Sequence, residues 1–176
     1  MGLILSYFEE ITKAMTMLGF CGYTFLGQSV CYPGNAIYKT LKNVPSVQKI
    51  EMPVAEDMQM GISTGLSLSG YNIVSIFPRM DFLLLAMNQL VNHLDKIEEL
   101  SHGIFRPKII IRTMIGSKKP LDAGLQHTGD YTEMLKSGLK NVNVIRLDCA
   151  EMIDGCYRKA MQDNKSSIMI EMGELY

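Results

Sequence analysis

The sequence predicts an α/β fold, a three-layer, doubly wound, mostly parallel sheet, built as a single domain over residues 1–176. Three observations lead there. Short, nearly continuous apolar runs such as Ile73 to Phe77 and Lys108 to Thr113 have the length and β-branched content of strands buried on both faces. Other segments place apolar residues three and four apart, as at Phe8, Ile11, Met15 and Leu18. The two kinds alternate from end to end, and parallel strands need helical crossovers between them.

In order, residues 6–19 form a first helical stripe, with Gly19 as a stop signal. Tyr23 to Leu26 is a short strand ending at Gly27. Asn35 to Leu41 follows as a short helix and Val47 to Ile50 as a short strand. A helix runs from Ala55 to about Ser69, and its small residues Gly61, Ser63, Gly65 and Ser67 suit close packing. Gly70-Tyr71-Asn72 is a turn before the strand Ile73 to Phe77. A long helix is expected from about Asp81 to Leu100, with Asp81 as its N-cap. After the strand at 108–113 comes a polar loop, 114–129, and a helix near 130–137. A strand at 142–147, a helix at 150–162 and a strand at 167–171 close the chain.

Composition excludes several classes. With 176 residues the chain can bury a sizeable core. Its net charge of -1 gives no basic footprint for nucleic acid or for an anionic membrane surface. The longest apolar run, Leu83 to Met87, is too short to span a bilayer. Met1 to Ser6 fits an acylation pattern that is short and of low specificity, and no basic leader precedes the first helix. Cys21, Cys31, Cys149 and Cys156 have no metal-ligand spacing and are expected to be reduced, mostly buried thiols of a cytoplasmic protein.

A doubly wound sheet binds ligands at the carboxyl ends of its strands. Three positions fall there. Glu56 opens a helix soon after the strand at 47–50, Phe77 to Phe82 follows the strand at 73–77, and His127 ends the loop after the strand at 108–113. There is no Walker phosphate loop and no GxGxxG after the first strand.

The stretch Ile50-Glu51-Met52-Pro53-Val54-Ala55-Glu56, followed by Gly61-Ile62 and Gly65-Leu66 to Gly70, resembles the pyrimidine-binding domain of transketolase-like enzymes. The likeness is strongest to the beta subunit of the first component of 2-oxoacid dehydrogenases. It continues from Gly70 through Phe77, Phe82 and Ala86 to Gln89, Val91 and Asn92, and takes in Tyr23 to Val30, Pro107 to Arg112, Gln126-His127 and Gln162 to Glu174.

That resemblance implies thiamine diphosphate as cofactor. It matches Glu56 to the catalytic glutamate, whose carboxyl bonds the pyrimidine nitrogen opposite the amino group and favours the imino tautomer. It matches Phe82 to the aromatic stacked on the pyrimidine, Pro78 to an apolar cofactor contact, and His127 to a histidine near substrate. Alone, Glu56 would pass for a helix-dipole glutamate, Phe82 for core and His127 for a loop histidine.

Two departures stand out. Gln28 stands where the family usually has an acidic residue near cofactor and substrate. Residues 116–124 are longer and less glycine-rich than the matching loop, and Lys118 and Lys119 there are either a solvated tip or contacts for an anionic group such as phosphate.

The diphosphate-binding signature, Gly-Asp-Gly with a downstream asparagine, is missing, since Gly129-Asp130 is followed by Tyr131. The resemblance therefore implies a separate diphosphate-domain subunit that holds magnesium, a heterotetramer, and no activity without that partner. The substrate would be a small ketose or 2-oxoacid. The resemblance leaves three readings: a subunit for ketol or acyl transfer, a beta-type subunit of a 2-oxoacid dehydrogenase or decarboxylase, and a non-catalytic module on the same fold. The beta subunit's carboxyl-terminal domain, which does not follow here, weighs against the second.

Overall fold

Six strands form one sheet in which every pairing is parallel, in the order β2-β1-β3-β4-β6-β5. The computed structural model describes residues 6–119 and 122–176; most of the acylation pattern, and Pro120 and Leu121 of the long loop, lie outside them. The strands are β1 (Thr24–Gly27), β2 (Lys49–Glu51), β3 (Ile73–Phe77), β4 (Ile109–Ile115), β5 (Asn143–Leu147) and β6 (Ser167–Met172). All five residues of β3 and all seven of β4 are buried, which is why both are unbroken apolar runs apart from Ser75, Arg112 and Thr113.

The sheet is covered on both faces. On one side α1 (Tyr7–Phe20), α2 (Ala36–Thr40) and α7 (Ile153–Gln162) pack on Val74, Ile76, Ile110 and Met114. On the other, α3 (Glu56–Leu68), α4 (Met80–Leu83) with the turns that follow it, and α6 (Thr132–Gly138) pack on Ile73, Phe77, Ile109, Ile111 and Ile115. The two sets alternate along the strands, as a pleated sheet requires.

Two helices start on side-chain caps. Ser6 caps α1 in a capping box, accepting from the Glu9 N–H while its own N–H donates to the Glu9 carboxylate. Asn35 caps α2 through the Tyr38 N–H. The start of α3 has no side-chain cap, so tertiary bonds fix it. Gln59 Nε2 donates to the Ile76 carbonyl at 2.9 Å and to Ser75 Oγ at 3.2 Å, and Ser63 Oγ donates to Ser75 Oγ at 2.9 Å. These buried bonds hold α3 in register on β3 and set Glu56 at the carboxyl end of the sheet.

Several expectations are corrected. The long helix at 81–100 is four pieces: α4, a 3-10 turn at Leu84–Ala86, a π-turn run at Asn88–Leu94, and α5 (Ile97–Leu100). Leu83, Ala86, Leu90 and Leu94 nevertheless share one buried face. Its N-cap is Arg79, not Asp81, whose carboxylate instead accepts from the Gly129 N–H and the Tyr131 hydroxyl. The strand expected at 47–50 is a 3-10 turn, Ser46–Gln48, followed by β2.

Of the small residues of α3, Gly61 faces Gln89, but Gly65 faces open space. The cysteines are free as expected, but Cys21 and Cys149 are exposed, because each lies just past the end of an element where the chain turns into solvent. No helix among the described residues is long and apolar enough to cross a membrane.

Candidate functional site

From β1 the chain crosses outward to β2, whereas from β3 it crosses the other way to β4. The loops leaving β1 and β3 therefore part, and a crevice opens between their carboxyl ends. It has a volume of about 220 Å³ and is lined by Gln28 and Ser29 after β1, by Pro78, Arg79 and Phe82 after β3, and by Asn35 and His127.

Four of the five residues singled out in the sequence thus lie on one wall or another of this crevice. The Phe82 and His127 rings meet edge to face, with centroids 5.5 Å apart. His127 Nδ1 is buried without a hydrogen-bond partner. Pro78 is buried, follows β3 directly and lines the crevice.

The fifth, Glu56, is set behind the wall. It is 5% exposed, and its Oε1 accepts from Gln28 Nε2 at 2.9 Å. Its Oε2 takes no hydrogen bond from the described residues. The departure at position 28 is therefore in direct contact with Glu56: an amide donates to the carboxylate where an acid would have repelled it.

Two glycines permit this geometry by close approach. A Cβ on Gly27 would lie 2.3 Å from the Ile76 carbonyl oxygen, so only glycine lets β1 end so close to β3. A Cβ on Gly116 would lie 2.0 Å from the His127 carbonyl oxygen and 3.3 Å from Arg79 Nε. Gly116→Ala is thus expected to push the His127 loop off β4. The His127 ring protons should lose the ring-current shift from Phe82 in NMR spectra, with about 1–3 kcal/mol lost in stability. Unchanged His127 shifts would show that the loop is not held there.

Sequence reasoning missed several parts of the site. Glu51 ends β2, and its carboxylate accepts from the backbone N–H groups of Ser29 (2.6 Å), Val30 (2.9 Å) and Cys31 (2.8 Å). It latches the loop that carries Gln28. Arg79 and Asn35 line the crevice and were not singled out, although Arg79 follows Pro78 directly.

No family model matches the chain. Its sequence is 28% identical over 155 residues to the pyruvate dehydrogenase E1 component subunit beta of Gracilaria tenuistipitata var. liui, covering 86% of the chain and 47% of that protein. It is 25% identical over 172 residues to the same subunit of Porphyra purpurea, covering 96% and 49%. Among solved structures, an inactive beta4 tetramer of a split-gene transketolase superposes with a TM-score of 0.71 at 16% identity, covering 94% of the chain and 51% of that one. The chain therefore spans about half the length of the relatives it matches.

The fold is that of transketolase-like pyrimidine-binding domains, and the sequence likeness relates the chain to them. Within that class the chain is related to the beta subunit of the 2-oxoacid dehydrogenase first component.

Proposed function

We propose that the chain is the cofactor-activating subunit of a split thiamine-diphosphate-dependent, transketolase-like enzyme that transfers ketol or acyl groups and is inactive without a second subunit. The observation that carries this is the buried Glu56 carboxyl, held through Oε1 by Gln28 with Oε2 uncommitted, beside a crevice walled by an aromatic and an orphaned imidazole nitrogen. These residues fit an aminopyrimidine: an acid for a ring nitrogen, a ring edge and face in Phe82, and an apolar floor in Pro78. When bound, thiamine diphosphate supplies a carbon nucleophile for attack on a carbonyl.

The protein's part is positional and protonic. Glu56 Oε2 would be the atom to hold or share a proton with the pyrimidine nitrogen, Gln28 would keep the carboxyl from turning away, and Phe82 and Pro78 would contact the ring. His127, which lines the crevice with its Nδ1 unpartnered, would pass a proton to or from the substrate oxygen. The diphosphate and its magnesium fall to the partner subunit, in a heterotetramer with the cofactor at each unlike interface. A solved beta4 tetramer of a split transketolase that is inactive agrees with this division of labour.

The test is co-expression with a candidate diphosphate-domain subunit, followed by cofactor binding with magnesium and by NMR-monitored deuterium exchange at the thiazolium carbon. Glu56→Gln is expected to bind cofactor but to slow exchange by about 10²–10⁴-fold. An assembled pair that binds no cofactor would leave only an interaction module on this fold. The curated relatives favour a second reading, a 2-oxoacid dehydrogenase beta-type subunit. Turnover of pyruvate with an artificial electron acceptor, in place of a ketose donor, would establish it.

A further inference from the structure

The loop that carries His127 is tied down from the aromatic side of the crevice. Met80 and Asp81, the first two residues of α4, stand immediately before Phe82 and reach the chain just after His127. Asp81 Oδ2 accepts from the Gly129 N–H at 3.3 Å, and Oδ1 accepts from the Tyr131 hydroxyl at 3.4 Å. The buried Met80 Sδ accepts from the Tyr131 N–H at 3.3 Å. The fit is tight. A Cβ on Gly129 would lie 2.7 Å from Asp81 Oδ1 and 2.5 Å from the Tyr131 ring, so the loop wraps closely round this carboxylate.

Asp81 sits in the first turn of α4, where an acid could bond the free N–H groups of the helix, yet α4 starts without a side-chain cap. Among the described residues no lysine or arginine lies within ion-pair distance of it. A half-buried carboxylate thus commits both oxygens to two donors of one loop. The Asp81 charge pushes the Tyr131 hydroxyl up from its ordinary value, which keeps it protonated as a donor.

The two ends of this segment are fixed separately. Upstream, the His127 carbonyl lies against Gly116, and the His127 N–H donates to the Gly124 carbonyl at 3.0 Å. Downstream, Asp130 accepts from the Thr132 N–H and hydroxyl and pairs with Arg146 of β5. Between them the imidazole has no hydrogen bond at Nδ1 and meets the Phe82 ring. The backbone that Asp81 holds is what sets the one ring against the other.

We propose that Asp81 is a positioning residue for His127, fixing the imidazole against Phe82 by holding Gly129 two positions on. Because Asp81 adjoins Phe82, one short element sets both the aromatic wall and the imidazole that faces it. The proton role of His127 rests on the proposed function; its placement by Asp81 does not.

The first test uses the full chain alone and the His127 ring-proton shifts in NMR spectra. Asp81→Ala is expected to abolish the ring-current shift from Phe82 and to move the Gly129 amide signal. Asp81→Asn keeps one acceptor oxygen but turns an amide NH₂ towards the other donor, so it should move the ring partway. Tyr131→Phe leaves the Gly129 bond intact and should move it least. Circular dichroism melts confirm that each variant is folded. Should Asp81→Ala fail to fold, the partial displacement in Asp81→Asn carries the test.

The second test uses the assembled pair. Asp81→Ala should lower kcat by about 10–100-fold with KM little changed, because a misplacement of about 1 Å can cost that much. Asp81→Asn should lose less. In a His127→Ala background, Asp81→Ala should cost nothing further. A His127 ring unmoved by Asp81→Ala, or a full loss of kcat in the His127→Ala background, would overturn the proposal and leave Asp81 as a contact of the fold. The outcome separates from that of the proposed function: if Asp81→Ala displaces the ring but the wild-type pair takes no cofactor, only the enzyme reading fails. If the pair turns over and the ring stays in place on Asp81→Ala, only the positioning role fails.

Discussion

Glu171→Ala is expected to cost about 3–5 kcal/mol, a large fraction of the roughly 5–15 kcal/mol by which such a domain is stable. Arg112 on β4 and Glu171 on β6 both have fully buried side chains, and they pair across neighbouring strands. Arg112 Nε donates to Glu171 Oε1, and Nη2 donates to Glu171 Oε2 and to the Tyr176 hydroxyl, both at 3.0 Å. The Tyr157 hydroxyl donates to Glu171 Oε1 at 3.2 Å, and the Tyr176 hydroxyl donates to Oε2.

Burial works against the guanidinium charge, but Glu171 holds Arg112 above its ordinary value. Burial and the same carboxylate hold Tyr157 and Tyr176 well above theirs. Deleting the carboxylate strands a charge in the core, and Arg112 Nη1 already lacks a partner. The cost belongs to the stranded charge rather than to a net gain from the pair. An Arg112→Met, Glu171→Leu double replacement should therefore recover most of it. Urea midpoints decide: a single variant no worse than a surface change, or a double variant worse than either single, would refute this account.

That pair marks a limit on what the sequence shows. The strands at 73–77 and 108–113 stand out because a strand covered on both faces needs apolar residues at every position. The same rule makes Arg112 an anomaly within an isoleucine run, yet its answer, Glu171, lies 59 positions away and only the fold joins them. The broken helix after Asp81 was not legible either. Its apolar spacing fits an α-helix, and nothing in that spacing marks the 3-10 and π-turns that interrupt it.

At the site, family likeness singled out Glu56, Phe82 and His127, of which the last two line the crevice and the first bonds Gln28 on its wall. Glu51 and Arg79 were not legible, because each acts through backbone geometry or a wall that only the fold assembles. Lys39 and Lys119 meet only when α2 and the loop after β4 fold to a second crevice, which shares Arg79 with the first. The lysine pair at 118–119, read from sequence as equivalent, is split by the structure into one residue that lines a crevice and one that does not.

Glu51→Ala carries the other large effect. It is expected to destabilise the chain by roughly 3 kcal/mol, since hydrogen bonds to a charged acceptor are worth about 1.5–3 kcal/mol each and these three share one carboxylate. The three successive N–H groups of Ser29, Val30 and Cys31 turn inward, a concave donor set suited to an anion. Ser29 has φ +58°, a left-handed conformation that costs a side chain about 1–2 kcal/mol. Without Glu51 nothing offsets that strain, and the loop should relax.

Gln28 immediately precedes the strained residue, so its amide would leave Glu56. The side-chain amide signal of Gln28, distinct in the wild type through its bond to Glu56, should collapse towards the free position. Glu51→Gln keeps an acceptor without the charge and should fall between. Under the proposed function, the losses of activity on Glu51→Ala and Gln28→Ala should not add, because both act by freeing the same carboxyl. Additive losses, or a Gln28 signal unmoved by Glu51→Ala, would mean that the latch supports the fold without reaching Glu56.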